Sequence, residues 1–90
     1  MIPEDTLDFH DTGPLTEEQI RLQTETFLEN SLQSGLECVL IITGKGTHSG
    51  SRGLAKRAVR EVLRKNKLKL EYKNADYNMG GDGAIIIRFI

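Results

Sequence analysis

The spacing of apolar residues changes along the first third of the chain from that of a strand to that of a helix. Residues 7–10, Leu-Asp-Phe-His, alternate between apolar and polar side chains, which predicts a half-buried strand. Thr16 and Gln19 then have the spacing of a capping box, where a helix begins. Apolar residues recur at helical period as far as Gly35, so the pattern predicts a helix over residues 16–34.

The middle of the chain predicts a second strand and a second helix separated by a glycine-rich loop. Residues 38–42, Cys-Val-Leu-Ile-Ile, form an aliphatic run too short for a helix, which is typical of a strand buried on both faces. The loop covers residues 43–53. Apolar pairs then recur every three to four positions and predict an amphipathic helix over residues 52–66.

Two more strands complete the pattern. Residues 69–72 predict a third strand, residues 79–83 a glycine-rich turn, and residues 84–90 a deeply buried fourth strand. The order β-α-β-α-β-β and right-handed crossovers predict an α/β two-layer sandwich with both helices on one face of a four-stranded mixed sheet. We expect the strand order 1-2-4-3, a domain over residues 7–90, and a flexible lead over residues 1–6.

Charge is segregated along a chain of 90 residues whose net charge is only −1. Residues 1–37 carry nine acidic residues against one basic residue, whereas residues 45–73 carry ten basic residues against two acidic ones. Such a basic half is either a solvated lysine-rich face or a phosphate-binding surface, and we expect nucleic acid as its partner. The chain has no apolar run long enough for a membrane span and no signal-peptide pattern, so we expect a cytoplasmic protein without a membrane partner. The single cysteine, Cys38, is expected to be buried and inert.

Three segments are expected to meet at one edge of the sheet. The first two follow the parallel strands 1 and 2, which end at the same edge, and the third, residues 80–84, enters there because strand 4 is antiparallel. Asp8 and His10 end the first strand, and a carboxylate beside an imidazole suits proton transfer near neutral pH, although such a pair is more often a plain surface feature. The loop Gly44-Lys45-Gly46 allows backbone amides to approach an anion, or serves as a simple turn.

The second helix strengthens the interpretation as a phosphate-binding surface. Arg57, Arg60 and Arg64 are spaced so that they form one stripe opposite the apolar face. Arginine suits bidentate contacts to phosphate better than lysine does, although a solubilising face remains the simpler alternative.

The three segments together resemble the Smr (small MutS-related) domain family over about residues 7–90. The resemblance rests on LDFH at residues 7–10, TGKGTHS at residues 43–49 and GGDGA at residues 80–84. It implies nucleic-acid binding and phosphodiester cleavage of DNA or RNA. Thr43 stands where the family often has a histidine, and His48 is a candidate to supply that imidazole.

The expected site therefore has a catalytic and a binding part. The catalytic candidates are Asp8, His10 and His48. The binding candidates are Gly44, Lys45, Gly46, Arg52, Arg57, Arg60, Arg64, Gly80, Gly81 and Gly83, the last three implied by the family turn.

No dedicated set of metal ligands is recognisable, and no cofactor is required for cleavage of RNA through its 2′-hydroxyl. A weak Mg²⁺ or Mn²⁺ site is the alternative for DNA, where water attacks. Two other functions stay open. One is a non-catalytic nucleic-acid or ribosome-binding module, and the other is a protein-interaction domain whose basic face meets an acidic partner.

Overall fold

The apolar runs of the sequence form the strands, and the segments of helical period form the helices. The computed structural model describes residues 2–10, 13–44, 53–76, 78 and 80–90, and the elements below lie within these ranges. Each of these helices and strands begins and ends within two residues of its predicted bounds. The elements are β1 (Thr6–Asp8), α1 (Glu17–Gln33), β2 (Cys38–Ile42), α2 (Leu54–Lys65), β3 (Leu70–Asn74) and β4 (Ala84–Phe89).

The sheet has the predicted strand order β1-β2-β4-β3 in the described part of the chain. β1 pairs with β2 in parallel, and β4 lies antiparallel to both β2 and β3. β1, β2 and β3 therefore end at one edge of the sheet, where β4 begins. We call this the carboxyl edge, and its four strand termini are Asp8, Ile42, Asn74 and Ala84.

Both helices pack on the same face of the sheet, which confirms the two-layer architecture. Val39, Ile41, Ile85 and Ile87 have no exposed surface and belong to one cluster with the buried residues of the helices. The aliphatic character of β4 follows from its central position between β2 and β3. We call the other face of the sheet the open face. A smaller apolar cluster lies there and comprises Leu40, Ala75 and Ala84 with Ile42 and Ile86.

The predicted capping box starts α1. The Thr16 hydroxyl accepts a hydrogen bond from the Gln19 amide at 3.1 Å, and the Gln19 side chain accepts one from the Thr16 amide at 2.8 Å. Each bond satisfies a backbone donor that would otherwise lack a partner at the helix terminus.

The two edge strands differ from their predicted bounds for physical reasons. β1 begins at Thr6, and the preceding Glu4 and Asp5 are hydrogen-bonded to β2. β3 continues to Asn74, although Lys73 and Asn74 are exposed. An edge strand is held by pairing with its one neighbour, so its polar end gives no apolar signal in the sequence.

Candidate functional site

Asp8 and His10 lie at the end of β1. The Asp8 carboxylate accepts a hydrogen bond from the His10 backbone amide at 2.7 Å. This bond makes a local turn, so the strand ends at Asp8 and not at His10 as predicted. Phe9 in between remains bound to β2 through its amide and is buried in the helix-side core. The His10 side chain is thereby presented at the exposed carboxyl edge.

The residues after β2 pack against His10, as the sequence predicted for the first two segments. Gly44 has a φ of +75°, and a β-carbon at this position would lie 3.4 Å from His10 Cδ2. The imidazole ring therefore lies directly beside the Gly44 backbone. Glycine is favoured here for its left-handed conformation, and any larger residue would contact the ring.

The third segment joins the second through one carbonyl group. The Gly83 carbonyl accepts hydrogen bonds from the amides of Thr43, at 2.8 Å, and Gly44, at 2.9 Å. The Thr43 hydroxyl is buried and donates to the Gly44 carbonyl at 3.0 Å, with the Gly83 carbonyl also 3.4 Å away. Thr43 therefore has a structural role, because its hydroxyl contacts backbone carbonyls inside the edge.

The residues 80–83, which we call the glycine turn, consist of Gly80 and a short 3₁₀ segment, Gly81–Gly83, directly before β4. Gly80 has a φ of +115°, and a β-carbon there would lie 2.7 Å from Ala84 Cβ. Gly81 also has a positive φ, of +53°, but a β-carbon would meet nothing within 4 Å. The turn therefore requires glycine at position 80 for space and backbone geometry, and at position 81 for geometry alone.

Several predicted site residues lie outside the described ranges. They are Lys45, Gly46, His48 and Arg52. Their expected roles as phosphate ligands and as a second imidazole remain predictions. His10 is the histidine that the described part of the chain places at the carboxyl edge.

The predicted arginine stripe on α2 has two different environments. Residues advance by about 100° around a helix, so Arg57 and Arg64 share one line opposite the buried side, whereas Arg60 lies on a flank. Arg57 and Arg64 are exposed. Arg60 is partly buried, and its guanidinium donates a hydrogen bond to Asn74 Oδ1 at the end of β3. All three retain a predicted role toward phosphate, but Arg60 also connects α2 to the carboxyl edge.

On the opposite flank, α2 contacts the acidic helix α1. Arg21 of α1 forms an ion pair with Glu17 and lies 3.7 Å from Glu61 of α2. Glu61 also accepts a hydrogen bond from Lys65 at 2.9 Å, and this bond, with the charges of Lys65 and Arg21, lowers the pKa of its carboxyl group. The contact between Arg21 and Glu61 thus joins opposite charges across the two helices. Arg57 and Arg64 are exposed on the outer side of α2.

Cys38 lies at the other end of β2 from the carboxyl edge. It is 1% exposed, and burial raises the pKa of its thiol. The prediction of a buried cysteine is confirmed. Since the thiolate is the reactive form, a raised pKa makes this side chain a poor nucleophile.

The described residues form neither a cluster of metal ligands nor a membrane-spanning helix. Among the described residues, no three His, Cys, Asp or Glu side chains are close enough to hold a metal ion. No described helix is long and apolar enough to cross a membrane.

The residues at the end of β3 hold the glycine turn in place and were not predicted from the sequence. Asn74 Nδ2 donates to Asp82 Oδ1 at 3.3 Å, the Ala75 amide to the Ala84 carbonyl at 3.0 Å, and the Gly81 amide to the Asp76 carbonyl at 3.1 Å. The polar residues Asn74 and Asp76 carry no periodicity, so only the register of β3 against β4 could have revealed them.

Fold and site define a small two-layer α/β domain in which a histidine, a glycine-containing loop and a glycine turn meet at one edge of the sheet, beside a basic helix. The chain belongs to the Smr domain family, whose model matches residues 7–89.

Its relatives include proteins named Endonuclease MutS2. The chain is 30% identical over 78 residues to that of Clostridioides difficile (strain 630), which covers 87% of this chain and 9% of the relative. It is 34% identical over 70 residues to that of Finegoldia magna, which covers 78% of this chain and 8% of the relative. The chain thus spans less than a tenth of the length of these relatives.

Two solved structures share the fold. The crystal structure of the Smr domain of Thermus thermophilus MutS2 matches with a TM-score of 0.79 and 27% identity, covering 96% of this chain and 98% of that one. YdaL, a stand-alone small MutS-related protein from Escherichia coli, matches with a TM-score of 0.78 and 26% identity, covering 93% of this chain and 63% of that one.

Proposed function

We propose that the chain binds nucleic acid along α2 and the carboxyl edge and cleaves a phosphodiester bond there, on DNA or RNA. The observation that carries the proposal is that the three segments meet at one place. The His10 ring lies against Gly44, and the Gly44 amide donates a hydrogen bond to the Gly83 carbonyl. The relatives named Endonuclease MutS2 support the same reaction class.

The proposed role of each side chain follows from its chemistry. Arg57 and Arg64 are exposed guanidinium groups and attract the phosphate backbone. His10 transfers a proton in the cleavage step, and Asp8 fixes its position through the backbone amide. On RNA the 2′-hydroxyl is the nucleophile, whereas on DNA water takes that role.

A divalent metal fits this site poorly among the described residues, because no group of three suitable side chains is present there. Mg²⁺, Mn²⁺ and a chelator nevertheless belong in the assay as separate conditions, because hydrolysis of DNA often uses such an ion.

Binding is tested by its dependence on salt. Each neutralised phosphate of duplex DNA contributes about −0.9 to the log–log slope of affinity against salt. We expect R57Q/R64Q to flatten the slope by about 1.8 if both arginines contact phosphate. Arg88→Gln controls for the loss of a positive charge elsewhere, because Arg88 pairs with Glu71 at the opposite end of β4 from the carboxyl edge. Per charge removed, it should change the slope less than R57Q/R64Q does. Equal slopes for R57Q/R64Q and the wild type would move the binding surface away from α2.

Cleavage is tested on labelled single-stranded RNA, supercoiled DNA and a branched duplex. His10→Ala is expected to lower the rate by roughly 10²–10⁴-fold while leaving affinity nearly unchanged. His48→Ala and the double variant H10A/H48A show whether a second imidazole participates. Binding without cleavage in the wild type would favour the non-catalytic module, which the buried, structurally bonded Thr43 at the family's histidine position also favours. Cleavage that survives loss of both histidines would exclude His10 as the proton-transfer group.

A further inference from the structure

The end of β3 holds the glycine turn in place from outside the three family segments. Asn74, Ala75 and Asp76 each make one link to the turn or to the residue that follows it. Two of these links use backbone atoms and are available to almost any sequence. The third, from Asn74 Nδ2 to Asp82 Oδ1, depends on the two side chains.

Asn74 also receives a bond from the basic helix. The Arg60 guanidinium donates to Asn74 Oδ1, while the Asn74 amide nitrogen donates to Asp82. An amide side chain has both an acceptor oxygen and a donor nitrogen, whereas a carboxylate only accepts. Asn74 is therefore chemically suited to stand between a guanidinium and a carboxylate.

This chain of bonds leads to the proposed reaction site in short steps. Asp82 precedes Gly83, whose carbonyl accepts the amides of Thr43 and Gly44. Gly44 in turn lies against the His10 ring. A shift of the glycine turn would displace the backbone that supports the imidazole.

We propose that Asn74 is a positioning residue for the site, linking Arg60 to Asp82 and thereby fixing the glycine turn beneath Gly44 and His10. The inference rests on the proposed function, because Gly44 and the glycines of the turn are predicted phosphate-binding residues, so that positioning is measured through nucleic-acid binding. It adds to that function a residue outside the three family segments.

An exchange of side chains tests the bond between the two residues. Asn74→Asp places a carboxylate against Asp82, so the pair loses its hydrogen bond and gains repulsion. The exchanged double variant N74D/D82N restores the bond in the opposite direction, because the amide at position 82 donates to the carboxylate at position 74. It also restores the wild-type net charge.

We expect Asn74→Asp to weaken binding of labelled nucleic acid about tenfold, within the range of couplings between contacting residues. The double variant should return to within about threefold of the wild type. Asn78→Asp is the matched control, since it adds the same charge to the neighbouring segment. The Asn78 side chain makes no hydrogen bond to another described residue. Affinities are measured at a temperature where every variant is folded, so that a loss of stability alone leaves them unchanged.

A second variant distinguishes positioning from simple charge and decides the matter if Asn74→Asp does not fold. Asp82→Ala removes an acidic group beside the site, so electrostatics alone predicts tighter binding, whereas loss of positioning predicts weaker binding. Asp76→Ala removes the same charge nearby but leaves the Asp76 carbonyl bond to Gly81 intact. We expect Asp82→Ala to bind more weakly than Asp76→Ala.

The outcomes separate this inference from the proposed function. A wild-type chain that binds no nucleic acid overturns both. If the wild type binds but Asn74→Asp behaves like Asn78→Asp, or the exchanged variant shows no recovery, or Asp82→Ala binds as tightly as Asp76→Ala, then the positioning role alone is overturned.

Discussion

The helix-covered face of the sheet and the carboxyl edge are stabilised in different ways. On the covered face, Ile85 and Ile87 have no exposed surface and pack against both helices. At the carboxyl edge, the Gly83 carbonyl accepts two backbone amides, and Gly80 fits closely against Ala84. The first region depends on the volume of side chains and the second on the path of the backbone. In the core, substitutions that shorten a side chain should therefore reduce stability. At the carboxyl edge, substitutions that add a side chain to a glycine should reduce it.

The largest effect is expected in the core. Ile87→Ala should lower the free energy of unfolding by roughly 2–5 kcal/mol, because it removes one methylene and two methyl groups that are fully buried and leaves a cavity. Its neighbour Ile86 has the same side chain but points to the open face and is half-buried. Ile86→Ala is the control and should cost distinctly less, as measured by urea unfolding. Equal losses would mean that the open face is packed as tightly as the covered one.

The glycine turn should give the next largest effect, and its two left-handed glycines provide a matched pair. Gly80→Ala should cost roughly 2–3 kcal/mol, because strained backbone alone costs about 1–3 kcal/mol and the added β-carbon would lie 2.7 Å from Ala84 Cβ. Gly81→Ala meets no neighbour within 4 Å and should cost about 1 kcal/mol from its positive φ. Urea unfolding of both variants measures the difference. A larger loss at Gly81 would show that the contact with Ala84 does not determine the turn.

The same contrast explains how far the sequence predicts the molecule. Volume-dependent regions leave a repeating apolar pattern, so the buried runs of β2 and β4 were located to within one residue and the strand order was predicted correctly. Backbone-dependent regions leave only isolated glycines and polar residues. The family segments identified the glycines, but the link from Asn74 to Asp82 depends on tertiary register and left no pattern. The turn made by Asp8 is a local bond from side chain to backbone, which the alternating pattern of residues 7–10 does not indicate.

The candidate site was predicted to a similar extent. The meeting of His10, Gly44 and Gly83 followed from strand direction, because the parallel strands β1 and β2 end at the edge where the antiparallel strand β4 begins. The uniform arginine stripe was too simple, because helical spacing does not say which flank faces a neighbouring strand. Arg60 reaches Asn74 on β3, whereas Arg57 and Arg64 lie on the exposed line.

The smallest expected effect compares two buried threonines, one in each region. In the core, Thr24 donates from its hydroxyl to the Ile20 carbonyl of the same helix at 2.7 Å. The Ile20 carbonyl also accepts the helical hydrogen bond from the Thr24 backbone amide, so it keeps a partner in Thr24→Val. The change also removes a buried hydroxyl, and we expect the free energy of unfolding to change by less than about 0.5 kcal/mol.

At the edge, the Thr43 hydroxyl donates to the Gly44 carbonyl at 3.0 Å, which no helical ladder serves. Thr43→Val preserves the shape of the side chain but removes this donor, and should cost about 1 kcal/mol. Because Gly44 supports the His10 ring, the same variant should also weaken the proposed cleavage, whereas Thr24→Val should leave it unchanged. Unfolding in urea and a cleavage assay on the pair measure both effects. If Thr24→Val proved the more costly of the two, side-chain hydrogen bonds would matter more to the core than to the carboxyl edge, and the contrast between the two regions would fail.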